Sequence, residues 1–272
     1  MKKVLISIFF ISLLMGCSTS NTNESEENTS TLDEKTEPKI DANTSFRLPS
    51  PVELFILIKS EGANFVQEEL HKADKAGDYL DKEKKAINFG IYAADLAYCT
   101  VFEKQQETHT YFKTLKKMAD GLGINDGYDT EILDRIDNNL NNSDSLYQIT
   151  NDSYWEVCTY LEENGKSDVL SEILLGGWIE SVFLSVNSVI KYEDESPIVL
   201  RITEQSFLLE NLIEYMRTLK NNNVSEIYLK QLIDLQYSFD KLIDNPDGVN
   251  ITKEQYKEIA DKIKAIRMEL IG

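Results

Sequence analysis

From about residue 50 to the end, apolar residues recur every three or four positions, and no stretch alternates at period two. Tyr228, Leu232, Leu235, Phe239 and Leu242 stand 4, 3, 4 and 3 apart, and Tyr256, Ile259, Ile263, Ile266 and Leu270 stand 3, 4, 3 and 4 apart. Phe112, Leu115, Ala119 and Leu122 follow the same rule, as do Leu209, Leu212, Met216 and Leu219. Such spacing gathers side chains on one face of a helix, whereas a half-buried strand needs alternation. The chain is therefore predicted to be all-α.

Local punctuation supports this. Ser50-Pro51-Val52-Glu53 reads as an N-cap, a proline at the first helical position and the acidic arm of a capping box. Ser196-Pro197, Ser225, and Thr252 with Gln255 read as further starts. Helices are predicted over 51–59, 64–75, 82–102, 105–121, 129–140, 144–163, 168–191, 197–220, 225–244 and 252–270. Short polar links containing Gly or Asn separate them, which favours a compact bundle of about ten helices. An α-solenoid-like array is the alternative, although no repeat period is present. The 168–191 segment is apolar on most sides and is expected at the centre. Gly176 and Gly177 each lower helix propensity by roughly 1 kcal/mol relative to Ala, so close packing is expected there. Glu172 and Glu180 argue against this segment lying in lipid.

The first residues obey a different logic. Lys2 and Lys3 precede an apolar run from Val4 to Leu14, broken only by Ser7 and Ser12. A spanning helix needs ~20 residues, so this run reads as an export signal. It ends in Leu14-Met15-Gly16-Cys17, which resembles the lipobox of bacterial lipoproteins. That resemblance implies removal of residues 1–16, acyl chains on Cys17 and a membrane anchor without a span. Ser18 in place of Asp implies outer-membrane sorting, and Glu24, Glu26 and Glu27 are similar to surface-export signals of Bacteroidota lipoproteins. Residues 17–45 are rich in Ser, Thr, Asn and Glu and poor in large apolar groups, so a disordered tether is expected. As a coil of ~28 residues it would span about 30 Å. Residues 46–272 then form one helical domain. Leu48-Pro49-Ser50-Pro51, the run Asn88 to Leu96 and Gly176-Gly177-Trp178-Ile179-Glu180 look like all-helical lipoproteins of Bacteroidota, a likeness bearing on fold and address only.

Candidate chemistry is sparse. A formal charge of −19 makes nucleic acid a poor partner, because phosphates are repelled. Asp95 and Glu180 sit in otherwise apolar runs; facing inward, each would have its pKa raised unless a donor compensates. They could do acid–base work or simply accept hydrogen bonds, with Asn88 on the Asp95 face. Glu68-x-x-His71 has the spacing of a di-iron ligand pair, but His109 has Gln106 at the matching position, so no metal is expected. Cys99 and Cys158 could bridge two helices or act as small hydrophobes. Tyr92, Tyr98 and Trp178 are candidate ligand contacts, with core packing as the alternative. No phosphate loop, zinc spacing or nucleophile elbow occurs, so no cofactor is expected. These readings converge on a lipid-anchored envelope module that binds a protein, peptide or small ligand. The alternative is an enzyme using Asp95 and Glu180.

Overall fold

The computed structural model describes residues 48–124, 130–139, 141–219 and 223–272. Cys17, the lipobox-like residues before it and the expected tether lie outside them. Among the described residues the secondary structure is helical throughout, with no strand. Nine α-helices follow in order: α1 (Pro51–Ser60), α2 (Lys82–Val101), α3 (Gln105–Leu122), α4 (Thr130–Asn139), α5 (Ser143–Glu163), α6 (Ser167–Asn187), α7 (Pro197–Thr218), α8 (Asn223–Asp240) and α9 (Lys253–Ile271).

The punctuation is mostly as expected. Ser50 Oγ accepts from Val52 N–H at 3.4 Å with Pro51 at the first position, though the Glu53 arm of that box is not made. Thr252 and Gln255 make both arms of theirs, at 3.2 and 2.8 Å. Gly123 ends α3 with φ 65°, a left-handed conformation that a side chain would strain.

The bundle is built around α6, which packs against α1, α2, α5, α7 and α9. By length and composition α6 could cross a membrane, but 89% of its most apolar window is buried by other helices. Its contact with α2 is backbone to backbone. A Cβ on Gly90 would stand 2.0 Å from the Ile173 carbonyl oxygen, and one on Gly176 would stand 1.9 Å from that of Ile87. Only glycine fits at either position, which accounts for the helix-propensity loss at Gly176. At Gly177 a Cβ would meet Gly90 O at 3.4 Å, an ordinary contact.

One expected helix is absent. Residues 64–75 form no α-helix; two 3₁₀ turns, Gln67–Glu69 and Ala73–Asp78, lie along a strap from Asn64 to Tyr79. Beyond a few turn bonds such as Leu70 N–H to Gln67 O and Lys75 N–H to Lys72 O, its backbone groups bond to side chains of the core. Tyr98 Oη accepts from Val66 N–H at 3.2 Å and donates to Asn64 O at 3.2 Å. Tyr111 donates to His71 O at 2.9 Å, Tyr92 to Lys72 O at 2.9 Å and Arg267 to Glu69 O at 3.0 Å. Partners this numerous satisfy the peptide groups without helix hydrogen bonds.

Candidate functional site

Asp95 on α2 and Glu180 on α6 do face inward, and each is 0% exposed. They meet. Asp95 Oδ2 accepts from the His71 backbone N–H at 3.1 Å, Oδ1 is buried with no donor among the described residues, and the carboxyl lies close enough to Glu180 for each to alter the other's proton affinity. Two carboxylates this buried and this close repel, which favours keeping one proton between them. Glu180 is the ionised member. Arg267 on α9 grips it with Nε at 2.7 Å from Oε2 and Nη2 at 2.9 Å from Oε1. The guanidinium also lies 4.2 Å from the centroid of the Phe183 ring. Burial raises both acids, and the charge and hydrogen bonds of Arg267 oppose that rise at Glu180. At Asp95, burial and the neighbouring Glu180 charge together push the pKa well above the carboxylate range, so the proton resides there.

The aromatic candidates divide into two groups. Tyr92 and Tyr98 are buried struts for the strap rather than ligand contacts: both hydroxyls are bonded to its backbone, and the Tyr92 ring stacks on His71 at 4.9 Å. His71 Nε2 lies 2.6 Å from Tyr79 Oη, and burial with the Arg267 charge lowers its pKa to about 4. Trp178, in contrast, lines a cavity, and its buried indole N–H has no acceptor among the described residues.

That cavity, about 430 Å³, lies between the chain entering α1 and helices α1, α2, α5, α6 and α7. Small side chains create it. Ala93 and Ala97 on α2 and Gly177 and Ser181 on α6 leave space that larger residues would fill. Leu54, Phe89, Leu115, Val157, Ile173 and Trp178 make most of the remaining wall apolar. Tyr154 closes one side and donates to Leu48 O at 2.9 Å. Polar groups gather where α7 contributes: Arg201 pairs with Glu204 at 2.6 Å, beside the exposed Phe207. The volume falls within the ~300–1,000 Å³ of small-molecule sites, which combine apolar walls with a few polar groups.

Neither Asp95 nor Glu180 lines this cavity. Cys99 and Cys158 are buried free thiols, so the bridge considered from sequence is not formed. Burial holds both thiols above their ordinary range, Cys158 at about 12, which leaves them protonated and packed as hydrophobes. Among the described residues no group of His, Cys, Asp and Glu could hold a metal ion. His71 is bonded to Tyr79, while His109 Nδ1 lies 2.7 Å from Asp137.

Sequence reasoning missed Arg267, although a signal was present. It stands four residues after Ile263 and three before Leu270, on the apolar stripe of α9. A lone charge on such a stripe asks for a buried counter-charge. No family model, curated protein or solved structure matches this chain.

Proposed function

We propose that this chain is a lipid-anchored module of the bacterial cell envelope, held at the outer membrane through Cys17, whose helical domain carries one small apolar ligand. The cavity bounded by α1, α2, α5, α6 and α7 carries the reading: it is apolar, of ligand size and edged by polar side chains. The lipobox-like Leu14 to Cys17 and the polar tether support the anchor. Acid–base catalysis by Asp95 and Glu180 is not part of the reading, because Glu180 is committed to Arg267, Asp95 accepts from His71 N–H, and neither lines the cavity.

N-phenyl-1-naphthylamine, which brightens in apolar surroundings, tests the cavity directly. The protein should take up one equivalent saturably. Ala93→Phe, at a half-buried position lining the cavity, should weaken uptake at least tenfold with little effect on the thermal midpoint. Unsaturable uptake, or equal affinity in the variant, would defeat the proposal. For the anchor, Cys17→Ala should move the protein out of the membrane fraction.

A further inference from the structure

A second hollow, of about 480 Å³, lies between the strap, the first turn of α2 and the end of α9. Lys72 and Lys75 from the strap, Lys84 from α2 and Arg267 from α9 all line it. Asp78 is its one acidic side chain, and Lys75 pairs with it at 3.1 Å. Lys72 and Lys84 join no ion pair among the described residues. Asp78 offsets Lys75 and Glu180 offsets Arg267, so Lys72 and Lys84 supply the unpaired positive charge of this concavity in a chain of net charge −19.

Arg267 supplies a second, independent observation. It is only 8% exposed. Its Nε and Nη2 are taken by Glu180 and Glu69, yet Nη1 has no partner among the described residues. Two carbonyls at the end of α9, beside Gly272 in the wall of the hollow, already accept hydrogen bonds and so repel an anion less. Asn88 donates to Leu270 O at 3.0 Å and Tyr79 to Ile271 O at 3.2 Å.

We propose that this hollow binds a phosphate-type oxyanion, with Lys72 and Lys84 neutralising it and Arg267 Nη1 donating to it. Cations from three separate elements suit a tetrahedral group with several oxygens better than a planar carboxylate with two. The same group could arrive as free phosphate or as the phosphomonoester headgroup of a lipid. The inference concerns different residues from the apolar cavity and stands without it.

The chain has only two histidines, which makes the test specific. His71 lines the hollow, whereas His109 is paired with Asp137 and does not. Inorganic phosphate and, separately, dihexanoyl phosphatidic acid below its micelle concentration are titrated into the purified protein at fixed pH and ionic strength. The two imidazole proton resonances are followed by NMR. The His71 resonance should move saturably and that of His109 should stay. Saturation by phosphate identifies the free ion as sufficient; saturation by the lipid alone assigns the headgroup. In Lys72→Glu/Lys84→Glu, two exposed positions, the thermal midpoint should be unchanged and the half-saturating concentration raised at least tenfold. No movement with either probe, equal movement of both histidines, or an undiminished response in the double variant would overturn the proposal.

Discussion

Asp95→Asn isolates the proton between the two buried acids. An amide copies the neutral acid: its oxygen can still accept from His71 N–H, and it places no charge beside Glu180. In the folded chain Asp95 holds its proton well above the usual carboxylate range, while in the unfolded chain it loses it near ~3.9. Between those two values the native state binds one more proton than the unfolded state. Stability from this group is therefore complete below the unfolded pKa and falls as pH rises, by ~1.4 kcal/mol per unit, until Asp95 ionises in the fold. The asparagine variant has no such slope. Urea unfolding at half-unit steps from pH 4 to 8 should show the two proteins equal at the acid end. The variant should then gain ~1.4 kcal/mol per pH unit before the gap levels off. Other titrating groups cancel in the difference, including His71. That histidine has its pKa lowered to about 4, so its own contribution is lost as pH falls from the unfolded value near 6.5 through 4. Parallel pH profiles, or a variant less stable at pH 7, would show that Asp95 is ionised in the fold and that the carboxyl–carboxylate contact is misread.

The other perturbations separate buried charge, close packing and thiol chemistry. Arg267→Met should cost ~3–5 kcal/mol in urea unfolding, because Glu180 is left charged and unpaired; adding Glu180→Gln should recover more than half. Gly90→Ala and Gly176→Ala should each cost at least ~3 kcal/mol or prevent folding, since the new methyl meets a backbone oxygen near 2 Å. Gly177→Ala, whose Cβ would meet Gly90 O at an ordinary 3.4 Å, should stay within ~1 kcal/mol of the parent in thermal unfolding. Cys99 and Cys158 should resist iodoacetamide in the folded chain and react once it is unfolded, and a reductant should leave the thermal midpoint unchanged; a lowered midpoint would mean a bridge exists.

Features legible in the sequence are those set by residues near one another along it. The period of the apolar residues needs one helix and one face, and with the capping residues and the continuous apolar run of α6 it anticipated every described α-helix. Thr252 and Gln255 are three residues apart and cap as read. Gly176 was legible as a close approach, though not which carbonyl it meets. The strap fails the same reasoning for a physical reason. Residues 64–75 contain no proline and are compatible with a helix, but their peptide groups are claimed from far away: Arg267 is 198 residues from Glu69, and Tyr111 is 40 from His71. Local propensity cannot register such competition. The cavity was hidden in another way. Gly177 reads as a close-packing residue, yet it lines the cavity together with Ala93 and Ala97. The same small residues leave a void where the neighbouring helices α1, α5 and α7 do not follow the α2–α6 crossing inward, a property of five helices together.

The polar core is better understood as a device for holding the strap than as a source of stability. A buried ion pair returns little over apolar replacements of the same shape, since desolvation cancels most of its attraction. The partners of this one are informative. Glu180 binds Arg267, Arg267 reaches on to Glu69 O, and Asp95, beside Glu180, accepts from His71 N–H. Arg267 and Asp95 thus each tie a helix of the bundle to one peptide of the strap, and Glu180 holds Arg267 in place. Apolar substitutes could fill the volume between α2, α6 and α9, but they offer no hydrogen bonds to those peptides, which would then be buried unsatisfied. The strap would have to lift or coil into a helix, and in either case Lys72, His71 and Tyr79 would no longer face Lys84 and Arg267 across the second hollow. The network's energetic cost therefore secures the shape of the second hollow, which links the buried ion pair of the core to Lys72 and Lys84 at the surface.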